Sequence, residues 1–296
     1  QATPGQALFN QPPSFFQLEP GFDYLPLLGG PNGYLYQLRL TAVAKANLPW
    51  NTKLRGTAAH REVDNYDQFI TPGWSTTTAR VRTYLREYLI TARTTLDNLS
   101  IEKSERLARN WYASAYAGYF ETMYGGVGSE VLYRQPGATW GLGVDLNRVQ
   151  ARNFEQDFGF RPNQTYDTGH VTAYWTTPFQ GIQTSLSVGQ YLAGDVGATW
   201  AVAKTFANGA TMGAFVTKTN MSAQEFGEGS FDKGIYWNIP LEAFLTSPSR
   251  LIASFSWRPL TRDGGAMVAR PVNLYAQSRW VGSDAKAYAP APPWNE

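Results

Sequence analysis

The sequence predicts an all-β protein, a transmembrane antiparallel up-and-down β-barrel of about 12 to 14 strands with 14 favoured. Three observations carry the prediction. Apolar residues recur with period 2 in segments of about 10 residues. The connections between those segments alternate between short and long. The composition is rich in aromatics and poor in charge, and no apolar run is long enough for a spanning helix.

Charged residues make up only 16% of the 296, against 43% hydrophobic and 15% aromatic. Soluble globular chains usually carry roughly 25% charge. The 17 Tyr and 10 Trp suit a surface that meets a bilayer interface. Of the two architectures that satisfy every backbone group in lipid, the closed barrel then remains. Cysteine is absent, which excludes disulfides and thiolate metal sites. A net charge of +2, without a Lys/Arg cluster or phosphate loop, gives no support for nucleic acid as a partner. The first residue is Gln1 rather than Met, so a processed leader or a piece of a longer chain is expected.

Taken in order, strands are expected near 33–46, 51–62, 93–103, 109–122, 127–134, 138–151, 166–176, 181–192, 198–206, 210–220, 232–240, 250–258 and 268–280. In "YLYQLRLTAVAKA" Tyr34, Tyr36, Leu38 and Leu40 share one face, and Gln37, Arg39, Thr41 and Lys45 share the other. "WGLGVDLNR" sets Trp140, Leu142, Val144 and Leu146 against Asp145 and Asn147. "GIQTSLSVGQYL" sets Ile182, Leu186, Val188 and Leu192 against Gln183, Ser185, Ser187 and Tyr191, and "LIASFSWR" sets Phe255 and Trp257 against Ser254, Ser256 and Arg258. A soluble sandwich shows the same alternation. The connections separate the two. "NLPW", "SERLA", "QPGA", "TPFQ" and "ANG" are tight turns, and the intervening connections are mostly longer or richer in Gly and charge. An up-and-down barrel with turns on one rim and loops on the other produces that alternation.

Within the longest connection, 63–92, "ARVRTYLREYLITA" reads as a short amphipathic helix on the barrel mouth or inside it. Residues 1–32 form an N-terminal segment whose "SFFQLEPGFDYLPL" is the candidate for a further strand. The barrel takes 33–280, and 281–296 are a tail.

The runs "YGGVGSEVLYR", "GLGVDLNRVQARNFEQDFGF", "SVGQYLAGDVGAT", "EFGEGSFDKGIYWNIPL" and "RPLTRDGGA" occur in one order. In this they resemble the C-terminal region of the YjbH-type (GfcD-related) outer-membrane proteins of exopolysaccharide and capsule systems. The resemblance covers about residues 80 to 280. It implies a β-barrel in the bacterial outer membrane that assists export or assembly of a surface polysaccharide, with no established catalytic residues. Typical members are longer at the N-terminus.

Two groups of residues are candidates for a site. Arg39, Lys45, Lys53, Arg55, Glu130, Arg134, Asp145, His170 and Arg258 fall on the polar face, together with Tyr116, Tyr174, Tyr191 and Tyr236. Cations outnumber anions there, which would draw an acidic polysaccharide while the rings stack on sugars. Internal pairing of the charges is the other reading. Asp195, Glu225, Glu228, Asp232, Lys233, Arg262 and Asp263 lie in Gly-rich connections of one rim, where they either bind sugar or fix loop conformation.

No catalytic residues, cofactor or metal are expected. His60 and His170 are the only histidines, and in "YDTGH" the side chains of Asp167 and His170 point to opposite faces of a strand. Expected partners are outer-membrane lipid, a polysaccharide, and another barrel or a periplasmic secretion component. The function readings left open are passage through a polar lumen, a scaffold that conducts nothing, and, third, an outer-membrane hydrolase.

Overall fold

The structure is a computed structural model that describes residues 15–30, 32–70, 80–222, 231–240, 252–258 and 263–278. Period-2 sequence becomes one antiparallel sheet in which each strand pairs with its neighbours in the chain. Its thirteen strands among the described residues are β1 (Phe16–Gly30), β2 (Gly33–Leu48), β3 (Thr52–Asp64), β4 (Thr94–Ala108), β5 (Trp111–Tyr119), β6 (Tyr124–Tyr133), β7 (Trp140–Arg152), β8 (Phe160–Thr176), β9 (Gln183–Gln190), β10 (Val196–Thr205), β11 (Thr211–Thr219), β12 (Asp232–Pro240) and β13 (Ile252–Trp257). Among the described residues β1 and β13 each pair on one side only. Helix among the described residues is confined to a 3-10 turn at Tyr66–Gln68, α1 (Leu85–Ile90) and α2 (Leu274–Ser278).

The sheet carries its large apolar side chains on the exposed face and polar ones on the covered face. Along β7, Trp140, Leu142, Val144 and Leu146 are 43–63% exposed, whereas Asp145 and Asn147 are each 5% exposed. Register carries the apolar rows across strands: Val144 lies beside Val171, Val171 beside Val188, and Leu186 beside Trp200. An apolar surface of this continuity marks a face that meets lipid or another protein. At the rim of tight turns the outer face ends in aromatics. Trp111 and Tyr133 meet with ring centres 5.1 Å apart, and Trp140 pairs in register with Trp175. Trp50, at the β2–β3 turn, is 82% exposed with φ 58, and Asn51 follows at φ 55. Two of the three residues between the paired Leu48 and Thr52 therefore have positive φ, uncommon outside glycine and most favoured by Asn.

Among the described residues, two segments of the chain itself pack on the central part of the inner face. Residues 80–90 supply Val81 and Tyr88, and residues 263–278 supply Ala266, Val268, Val272, Leu274 and Tyr275. These pack with Tyr116, Phe120, Tyr124, Leu132 and Val149 of the sheet and its loops. Inward glycines make room. A Cβ on Gly141 would sit 3.3 Å from the Tyr275 ring, and one on Gly143 would sit 3.3 Å from the Tyr174 ring.

Three expectations change. Residues 268–280 were expected as a strand, but 263–273 run without regular structure and α2 follows. Pro271 lacks the N–H a central strand donates, and the segment crosses the inner face instead. Fourteen strands become thirteen among the described residues: "SFFQLEPGFDYLPL" supplies β1 as expected, and the loss of 268–280 lowers the count. Leu192 does not continue the apolar face, because β9 ends at Gln190 and Leu192 turns into the inner cluster. The 79–92 segment does contain a helix, and its Tyr88 is buried against the inner face.

Candidate functional site: the inner face under the return segment

The return segment, residues 263–278, is fixed to the sheet by polar groups along its length. At its start, Asp263 accepts hydrogen bonds from the backbone N–H of Val81 (2.8 Å), Arg82 (2.7 Å) and Thr83 (3.1 Å) and from the Thr83 hydroxyl (2.8 Å). Asp195 then accepts from the Gly265 N–H at 2.8 Å. The Arg82 guanidinium lies 2.7 Å from Glu121 and donates to the Met267 carbonyl at 2.6 Å. Further along, Arg270 Nη1 lies 3.2 Å from Asp145 Oδ1 and 3.5 Å from Glu130 Oε2. Glu130 also accepts from the Leu274 N–H at 3.0 Å. The Tyr275 ring stacks on Tyr174 at 4.1 Å, and Arg134 lies over Tyr275 at 4.8 Å.

Strand register explains why the acids converge. Glu130, Asp145 and His170 stand side by side on β6, β7 and β8. Period 2 turns all three inward. Two carboxylates side by side, one only 1% exposed, would be costly without a cation. Arg270 is that cation. Asp145 additionally accepts from Asn147 Nδ2 at 2.9 Å and faces His170 Nδ1 at 3.6 Å, and Tyr116 donates to Asn147 at 2.7 Å.

A second row continues the same face with hydroxyls. Thr172, Ser187, Thr199 and Thr217 follow one another in register from β8 to β11. Thr172 and Ser187 are hydrogen-bonded at 2.9 Å, as are Thr199 and Thr217 at 2.7 Å, and Tyr191 joins Thr199 at 2.7 Å. Between this row and the return segment lies a cavity of about 80 Å³, lined by Asp145, His170, Thr172, Ser185, Ser187, Thr199, Arg270 and Asn273 among others. The His170 Nε2 atom and Glu130 Oε1 are buried without a hydrogen-bond partner.

The polar-face candidates separate into two groups. Glu130, Asp145, His170, Tyr116, Tyr174, Tyr191 and Arg134 surround the return segment or the cavity beside it, as the contacts above show. Arg39, Lys45 and Lys53 lie at the β1–β4 end. There Arg39 is held by Asp23 (3.1 Å) and Asp97 (2.8 Å), Lys45 by Glu19 (2.6 Å), and Lys53 reaches Glu102 at 4.0 Å. The expected excess of cations is thus largely paired off by acids the sequence reading had not placed on this face. Arg55 is exposed and pairs in register with Lys45. Arg258 lies over the Phe215 ring at 4.9 Å, and Tyr236 is buried.

Of the rim candidates, Asp195 and Asp263 join segments far apart in sequence, but through backbone amides rather than through each other. Asp232 accepts from the Lys233 N–H at 2.9 Å, and the Lys233 ammonium lies over Phe231 at 4.4 Å. Glu225, Glu228 and Arg262 lie outside the described residues.

Sequence reasoning missed Arg270, Arg82, Glu121 and Arg152. Arg152 has no exposed surface and donates to the carbonyls of Asp97 (3.2 Å), Glu121 (2.8 Å), Gln156 (2.9 Å) and Asp157 (3.0 Å), so one side chain ties the β5–β6 and β7–β8 loops to the start of β4. Among the described residues no group of acids and histidines could hold a metal ion.

An all-β, up-and-down sheet with an apolar outer face and a polar inner face filled by its own chain is the class of protein this geometry defines. The YjbH family model, "Exopolysaccharide biosynthesis protein YbjH", matches residues 1–279, and the chain belongs to that family. It is also 41% identical over 254 residues to "Uncharacterized lipoprotein YjbH" of Escherichia coli (strain K12). That match takes in 84% of this chain and 36% of the relative, so the chain spans about a third of the relative's length.

Proposed function

We propose that this chain is a β-barrel unit of the bacterial outer membrane that serves exopolysaccharide biosynthesis as a closed, non-catalytic scaffold. The membrane reading rests on the inverted faces. A surface of Leu, Val and Trp bounded by an aromatic rim is what a transmembrane barrel presents to lipid. The name of the Escherichia coli relative, a lipoprotein, favours an envelope location.

The observation that favours a scaffold over passage is the return segment. A polymer moving through the interior would have to displace Arg270 from two carboxylates and Asp263 from three backbone amides. Outer-membrane lipid, the polysaccharide and another barrel or a periplasmic secretion component are the partners this reading supplies.

The test is reconstitution of the purified protein in bilayers, with brominated lipids to quench tryptophan fluorescence. Quenching by the lipid, with no steady conductance, is the expected result. Absence of quenching, or a monodisperse protein without detergent, would sink the membrane reading. Stable conductance that the polysaccharide blocks would replace the scaffold with a passage.

A further inference from the structure

We infer that the cavity between β7–β10 and the return segment is a binding subsite for a hydroxyl-bearing arm of a saccharide. The ligand class rests on the exopolysaccharide reading above. The site itself rests on geometry.

Its wall is built of groups that both donate and accept. The hydroxyls of Thr172, Ser185, Ser187 and Thr199 come from three neighbouring strands, and Asn273 adds an amide from the return segment. The imidazole of His170 is 6% exposed; its Nδ1 faces Asp145, and its Nε2 has no partner. A buried polar atom left without a partner is costly, and native interiors fill such places with water or ligand. Among the described residues the charges nearby are already engaged: Arg270 sits between Glu130 and Asp145, so none of these is a free cation that would select an anion. A neutral polyol matches what is left.

Size narrows the ligand further. The cavity measures about 80 Å³, small beside the roughly 300–1,000 Å³ clefts that enclose a whole drug-sized ligand. A whole sugar ring is too large, whereas a hydroxymethyl or vicinal diol projecting from one fits. Such an arm replaces water with two or three directed hydrogen bonds. With so few atoms engaged, a dissociation constant on the order of millimolar is expected.

The two histidines make the test specific. His60 is exposed on β3, bonded to Thr94 at 2.7 Å, and serves as the control. In histidine-labelled protein in detergent micelles, D-glucose should shift the His170 ring resonances saturably and leave those of His60 in place. Ser187→Val, and separately Ala201→Val at the cavity wall, should each weaken the response by about tenfold or more while the spectrum of the folded protein persists. Should Ser187→Val fail to fold, Ala201→Val carries the comparison alone.

Unchanged His170 signals at 100-fold the expected constant would mean that the cavity holds water only and would overturn the proposal. Equal movement of both histidines, marking a bulk effect, would do the same. Lipid quenching of tryptophan, measured on the same preparation, separates the two claims. Intact quenching with a silent His170 removes the subsite and leaves the barrel reading standing.

Discussion

On β7, adjacent residues obey opposite rules. Val144 is apolar and 43% exposed; Asp145 is charged and 5% exposed. In water the first would seek the core and the second the surface. The arrangement is stable only if the outer face meets something as apolar as itself and the inner face supplies partners for its charges. The inner requirement is visibly met, because Arg270, Asn147 and His170 surround Asp145. The outer one is met by lipid in the proposed reading. The difference between the faces therefore makes two kinds of substitution costly for unlike reasons.

The largest effect is expected inside. Arg270→Ala leaves Glu130 and Asp145 buried without their cation, a loss of about 3–5 kcal/mol for a broken buried pair. Hydrogen exchange across 263–278 should quicken, and the unfolding temperature should fall. Adding Glu130→Gln and Asp145→Asn should restore most of the loss, since the burden is uncompensated charge rather than missing packing. If Arg270→Ala leaves exchange in the return segment unchanged, the segment is held by its apolar contacts alone.

The outer face should respond next. Val144→Arg or Leu186→Arg is expected to cost roughly 2–4 kcal/mol at mid-depth in a bilayer, falling toward 0–1 near the interface. Refolding into lipid vesicles measures this directly. Because Val144 is already exposed, the same substitution in a water-soluble sheet would cost little. Unimpaired assembly of both variants would therefore argue that the outer face never meets lipid.

How far these faces could be read in advance differed with the physics involved. Alternation along β7, β9 and β13 was legible because side-chain direction in a strand has period 2 whatever the surroundings. Which acids share the inner face was less so. Asp97 turns toward Arg39 because a bulge between the Thr57–Asn98 and Ala58–Leu96 pairs inserts it as an extra residue. No simple alternation predicts such a shift. Glu19 and Asp23 were overlooked for another reason: they lie in a segment read only as a candidate strand. The return segment was misread outright. Its Val268, Val272 and Leu274 imitate a strand's apolar face, and Pro271 was the one local signal against it. Its contacts to Glu130 and Asp263's reach to Val81 span 144 and 182 residues, so nothing nearby in sequence records them.

A smaller effect tests whether packing adds to charge in holding that segment. The Tyr174–Tyr275 stack, 4.1 Å apart and 6° from parallel, should contribute about 0.5–1.5 kcal/mol beyond the area it buries. Tyr275→Leu keeps much of the area and removes the stack and the Arg134 contact. A modest drop in stability, with exchange raised near α2 and unchanged at Asp263, is the expected pattern. Uniform loosening from 263 to 278 would mean that the segment releases as one unit.

The smallest effect belongs to the inner face at Lys45, which none of the described segments covers. Lys45 and Glu19 approach to 2.6 Å, closer than Arg39 and Asp97 at 2.8 Å, yet their side chains are 38% and 48% exposed against 14% and 12%. Distance alone would rank the lysine pair first. Solvent reverses the order, because an exposed pair is worth about 0–1 kcal/mol and weakens with salt, while a shielded one keeps its field. Lys45→Ala should accordingly leave the unfolding temperature almost unchanged, and any loss should vanish in high salt. Arg39→Ala, which strands both Asp23 and Asp97, should produce a deficit that salt does not remove. If the two variants behave alike, the β1–β4 end of the inner face is as open to water at Arg39 as at Lys45. Covering by the chain's own segments would then be what distinguishes the Arg270 cluster from the charges at the β1–β4 end of that face.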